Sequence, residues 1–178
     1  MSLSRLQTGC LRHIGLVCLA LLAAVPSVLL WPMDALTLRD GDNGQIVLRA
    51  AMPPGRGFAT AYIHSVQLSP VEDEYFAQDG LIRQWLSRGQ GHNTALPDPA
   101  QARGRVYIDQ PWIVFQGTTT PLADYVLRVG NEHFGRNHLR IGQGPWQPLY
   151  RTMPGKRLHI AASRCALYRL WPHGTKAI

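Results

Sequence analysis

The chain of 178 residues is 46% hydrophobic and 16% charged, with a formal net charge of +7, a balance that excludes a disordered tail and fits a folded domain behind an apolar leader. After the leader the basic residues stand as singles, apart from Lys156-Arg157. No basic stripe interleaved with aromatics is present, which excludes nucleic acid as the expected partner. Solubility and mild attraction to an anionic bilayer surface account for the charge more economically.

Residues 1–33 read as a signal or transmembrane anchor. Arg5 and Arg12 supply a short positive flank, and Ile14 to Trp31 then run apolar without a charge. The run is about 18 residues, close to a bilayer span and longer than an ordinary signal-peptide core. The positive flank stays in the cytoplasm, which places Asp34 onward across the membrane. A cleaved, secreted form is the alternative, with Ala23-Ala24-Val25-Pro26 as the nearest cleavage candidate. Cys18 follows Gly15-Leu16-Val17 near the start of the run, which argues against lipidation. With Cys10 and Cys18 in the leader, Cys165 is alone in the folded part and no disulfide forms within it.

Roughly 145 residues remain after the leader, enough for a proper apolar core. Short runs rich in β-branched and aromatic residues recur at 35–39, 45–50, 58–66, 74–78, 81–87, 106–108, 112–116, 125–129, 139–141 and 157–162, separated by Gly, Pro and Asp turns. This spacing predicts an all-β sandwich or barrel-like domain over residues 34–170. Residues 121–128 carry a weak helical alternative. Residues 89–104 read as a long polar loop, and residues 171–178 as a loose tail.

Tyr62-Ile63-His64-Ser65-Val66, then Pro70-Val71-Glu72-Asp73-Glu74-Tyr75, forms a signature. With Phe58 before it, Asp79-Gly80 after it and Leu127-Arg128-Val129-Gly130 late, it resembles the bacterial family called domain of unknown function 1850. The likeness covers most of residues 36–162. Members carry a Gly-Ala-Gly-Leu-Pro run where this chain has Asn93-Thr94-Ala95-Leu96-Pro97, so only the Leu-Pro end matches. The resemblance implies a transport-associated periplasmic module, encoded with or fused to permeases of tripartite ATP-independent periplasmic (TRAP) transporters, and implies no reaction and no cofactor.

The signature also admits a physical reading. With Val66 opposite Val71 in a hairpin, His64 faces Asp73, Ser65 faces Glu72 and Ile63 faces Glu74. A one-residue slip would reverse every side chain. The pair then serves to pin the hairpin or to bind a polar or anionic solute with Ser65 and Arg83 or Arg128. Glu74 stands beside Asp73, and His92 and Asn93 come from the long loop. A metal held by His64, Asp73 and His92 lacks any close-spaced ligand motif. Ser65 adjoins His64 in sequence, so the two point to opposite faces of a strand and make a poor nucleophile and base. The expected protein is therefore a non-catalytic accessory module beside a TRAP-type permease, single-pass in the inner membrane through residues 14–31. The alternatives are a periplasmic domain that binds or senses a small organic anion and, further off, a metal-dependent hydrolase.

Overall fold

In the computed structural model, residues 28–91 and 102–170 are described. The leader through residue 27, loop residues 92–101 with His92 and Asn93, and the tail from 171 lie outside the described residues, and with them the expected anchor, loop contribution and tail. No helix among the described residues is long and apolar enough to cross a membrane.

The chain order is β1 (Pro32–Asp40), β2 (Ile46–Ala51), β3 (Gly57–Ile63), β4 (Pro70–Gln78), β5 (Leu81–Gly89), β6 (Ala102–Asp109), β7 (Trp112–Thr119), β8 (Asp124–Arg128), β9 (His138–Ile141), β10 (Gln147–Pro148), a single helical turn α1 (Leu149–Thr152), β11 (Arg157–Ala166) and a closing 3-10 turn (Leu167–Leu170). The fold is all-β, in two antiparallel sheets. One has four strands in the order β2-β1-β11-β8, the other seven in the order β10-β9-β3-β4-β5-β7-β6. The helical alternative at 121–128 gives way to strand: β8 pairs with β11, and Tyr125 and Leu127 turn inward between exposed neighbours.

The core lies between the sheets. Leu158 and Ile160 of β11 are fully buried while Arg157 and His159 between and beside them are exposed, the period-two pattern of a half-buried strand. They join Leu36 and Leu38 of β1 against Phe58, Tyr75, Ile82 and Leu139 of the larger sheet. Each such aliphatic burial stabilises by about 1.5–3 kcal/mol. A stack of Phe58 on Tyr75 (4.9 Å) and Tyr75 on Tyr125 (5.6 Å) carries the contact across the gap between sheets.

The sandwich has two distinct ends. Pro32 lies opposite Ala166, and Asp40 opposite Leu158, so the chain enters β1 at the end where β11 finishes. The β4–β5 turn is at that end too. Asp79 and Gly80 both adopt left-handed φ (55° and 75°), the pattern of a type I′ hairpin turn. The Asp34 carboxylate accepts both of their backbone N–H groups, at 3.2 and 2.8 Å, and clasps the turn of one sheet to the first strand of the other. At the opposite end Arg128 closes β8 beside Arg157.

Candidate functional site

The hairpin that carries the signature is paired differently from the expected alignment. Ile63 lies opposite Pro70, Tyr62 opposite Val71 and Thr60 opposite Asp73, so Asp73 meets a residue four positions before His64. Residues 64–69 form the loop instead of four residues. Local hydrogen bonds explain the longer loop. The His64 N–H donates to the Ser69 carbonyl and the Leu68 N–H to the His64 carbonyl, both at 2.9 Å. Leu68 takes a φ of 53° to close the turn. His64 Nδ1 accepts the Val66 and Gln67 N–H groups at 3.3 Å each. An acceptor at Nδ1 leaves the proton of the neutral ring on Nε2.

Asp73 points into the sandwich. Its Oδ1 accepts from Gln84 Nε2 at 2.8 Å and from Ser87 Oγ at 2.6 Å, both from β5. Burial pushes its pKa up to about 6 in spite of these two bonds, which pull the other way. Tyr62 and Tyr125 are raised by burial first and by the Asp73 charge second. Tyr75 is raised by burial, then by Tyr125 and Asp73. The Tyr125 hydroxyl is buried with no well-formed hydrogen bond. Asp73 is thus the acidic centre of a polar patch inside the core, and it does not touch His64.

Glu74 and Glu72 occupy the other face of β4. Arg140 pairs with Glu74 at 3.2 Å and lies over Trp146, and Arg88 pairs with Glu72 at 2.6 Å and lies over Trp112. A cleft of about 1060 Å³ opens near this face between Arg56, Trp85, Glu74 and Arg140. Arg140 and Glu74 neutralise each other there, and Arg56 donates to the Ala51 carbonyl. Arg83 is opposite Phe76 in the strand pairing, away from His64.

A second cleft, of about 610 Å³, opens at the end of the sandwich where β3 and β8 finish. Tyr62, His64, Ser65, Arg128, Asn131 and Phe134 line it. Arg128 is exposed and, among the described residues, has no carboxylate partner. The wall formed by residues 130–137 is rigidly tied. Asn131 Oδ1 accepts the His133 and Phe134 N–H groups, Asn137 Oδ1 accepts the Gly130 N–H at 2.7 Å, and the Ile63 N–H donates to the Gly135 carbonyl at 2.7 Å. A Cβ at Gly130 would sit 1.9 Å from the Phe134 carbonyl oxygen, so only glycine fits there.

Of the expected site residues, the structure brings His64, Ser65 and Arg128 together and sends Asp73 inward and Glu74 to the far face. No group of three or more His, Cys, Asp or Glu side chains gathers around a common point among the described residues. Sequence reading missed Tyr62, Asn131 and Phe134 as cleft residues. Asn131 carried the one available signal, since Asn ahead of a short segment ending in Gly135 is turn chemistry.

Comparison with curated proteins and with solved structures returns no match. The family model described as domain of unknown function (DUF1850) matches residues 58–149. The matched span begins in β3 and ends at α1, so it holds His64, Asp73, Arg128 and the entire 130–137 wall. It covers a little over half of the sequence, and the chain belongs to the domain of unknown function 1850 family.

Proposed function

We propose that this domain is a non-catalytic binding module that receives a small organic anion in the end cleft, held outside the cytoplasm by its leader and working beside a TRAP-type permease. The observation that carries the anion reading is Arg128, exposed and, among the described residues, without a carboxylate partner, on the same cleft as His64 and Ser65. Residues more than sixty positions apart converge there, and each supplies a hydrogen-bond donor suited to a carboxylate or phosphate: a guanidinium fork, an imidazole Nε2–H and a hydroxyl. The volume is that of an ordinary small-ligand pocket. The non-catalytic reading is supported by His64 Nδ1, whose two backbone bonds tie the ring to its own turn. Apolar residues 14–31 support the anchored reading, and the family resemblance supports the permease.

The test is a melting-temperature titration of the full-length protein in mild detergent with succinate, citrate and phosphate as probes. At least one should raise the melting temperature in proportion to the logarithm of its concentration. Arg128→Gln should abolish that rise while leaving the unliganded melting temperature within a degree or two. No shift with any probe would sink the anion reading. Independently, affinity capture of tagged full-length protein from native membranes should recover a multi-span permease, and recovery of the protein alone would sink the accessory role.

A further inference from the structure

The topology fixes which end of the sandwich faces the lipid, once residues 14–31 are read as the membrane segment. We infer that the end bearing Trp31 and Tyr168 is a docking face for an anionic bilayer surface, and that the His64–Arg128 cleft points away from the membrane. The inference rests on the anchored reading above and adds an orientation to it.

Three observations support the docking face. The apolar run does not stop where the fold begins: Val28, Leu30 and Trp31 are 59%, 62% and 67% exposed immediately before β1. They are tied to the sandwich and are not a free tether, because the Leu167 N–H donates to the Trp31 carbonyl at 3.2 Å. That bond sets Tyr168, itself 44% exposed, on the same end. Exposed Trp and Tyr side by side are the residue types that settle at headgroup depth, apolar at one edge and polar at the other.

The charges on this end have the sign that anionic lipid attracts. Arg169 lies over the Tyr168 ring, and Arg49 reaches along the small sheet to donate to the Arg169 carbonyl at 3.4 Å. Arg56 stands in the β2–β3 loop and donates to the Ala51 carbonyl. Arg164 is paired with Asp79 at 3.3 Å, and Asp34 is committed to the N–H groups of the β4–β5 turn. Among the described residues Arg49, Arg56 and Arg169 have no carboxylate partner. Each basic residue close to an anionic surface adds to the attraction, which is lost within a Debye length.

Strand register then sets the distance to the cleft. β1 runs nine residues from Pro32 to Asp40, and Arg128 is opposite Arg157, one residue beyond the partner of Asp40. At about 3.3 Å per residue the cleft opens some 30 Å from the level at which the chain leaves the membrane. A docked domain holds its cleft clear of the headgroups, toward diffusing solute and toward whatever a partner extends over it.

The test uses the full chain, with Cys10 and Cys18 changed to Ser, in vesicles of phosphatidylcholine alone or with phosphatidylglycerol. One spin label sits on the native Cys165, opposite Met33 at the lipid end. In a second sample the label is on Val66→Cys, beside the cleft, with Cys165→Ser. Collision with oxygen and with a water-soluble nickel complex reports depth. In phosphatidylglycerol vesicles the Cys165 label should read headgroup depth and the position-66 label open water. Arg49→Gln with Arg169→Gln should return the Cys165 label to water while the chain stays resistant to alkaline carbonate extraction. A Cys165 label as aqueous as the one at 66, in a carbonate-resistant chain, would overturn the docking face and leave the anchor standing. Release of the unmodified chain by carbonate would overturn the anchor, and the docking face with it.

Discussion

Asp73 is the residue whose environment departs furthest from what its neighbours in sequence suggest. Read from the chain, it stands between Glu72 and Glu74 and faces His64 across the hairpin. In the fold it is the member of the three that faces inward, and its partners Gln84 and Ser87 come from β5 across a bulge between Glu74 and Tyr75. Sequence alone does not show that bulge, so those partners were not legible. The pKa of about 6, against 3.8 for the ordinary group, sets a testable pH dependence. The folded state keeps the proton over a range where the unfolded chain has released it. Stability from this site is therefore complete below about pH 4, falls as pH rises through 6 and then levels. Two pKa units correspond to about 3 kcal/mol. Asp73→Asn removes the ionisation while its Oδ1 still accepts from Ser87 and Gln84. The variant should be more stable than the parent at pH 8, by up to about 3 kcal/mol, and near parity at pH 4. Urea unfolding midpoints of both proteins across that range measure the difference, and a variant less stable at pH 8 would show that the carboxylate is instead needed for its charge.

Two elements set the shape of the ends, and each depends on one residue. At the cleft, Gly130→Ala pushes a methyl into the Phe134 carbonyl, and the 130–137 wall must move, since backbone cannot yield as a flexible side chain does. A loss of about 2 kcal/mol or more is expected, on the scale of overpacking a tight site. Probe binding should fall with it, and thermal melting with and without succinate reads both. At the other end, Asp34→Ala frees two backbone N–H groups of the β4–β5 turn and should cost about 1–3 kcal/mol. Asp34→Asn, which still offers one acceptor oxygen, should recover part of that in the same urea titration. Full stability in the alanine variant would mean that the clasp is replaced by water at no cost. The strands were legible at this scale because alternation and turn residues mark them: every predicted run overlaps a strand, and the run 58–66 overshoots β3 by three residues. The hairpin register was not. Val66 reads as a continuation of β3, yet it is 82% exposed. The turn depends on hydrogen bonds to the His64 ring and carbonyl and on a left-handed leucine, none of which a pattern of residue types encodes. The cleft was half legible for the same reason: His64, Ser65 and Arg128 could be named, while Asn131 and Phe134 needed the fold to bring them round.

At the scale of the whole molecule the two sheets are unequal, seven strands over four, and they share a single cluster of core residues. Leu36, Leu38, Leu158 and Ile160 come from the small sheet, and Phe58, Tyr75, Ile82 and Leu139 from the large one. Neither sheet can bury these side chains alone. The small sheet has the outer strands of the chain, β1 and β11, paired along nine positions. Losing it would expose the inner face of β3, β4 and β5 to water, so the sheets should unfold as one unit. Ile160→Ala tests this from the small sheet. Ile160 has no exposed surface, and its truncation should cost about 2–5 kcal/mol, most if the cavity stays open. The readouts can be separated by location. Trp85, Trp112 and Trp146 belong to the larger sheet or its loops, so with Trp31 and Trp171 changed to Phe in parent and variant alike the fluorescence follows that side, while far-ultraviolet circular dichroism follows all strands. In the variant both signals should shift to the same lower urea midpoint with an unchanged slope, because the interface between sheets is lost in one step. A tryptophan transition that kept its parental midpoint while the dichroism moved would show the seven-stranded sheet standing without the four-stranded one, and the shared core would then be a contact between two stable halves.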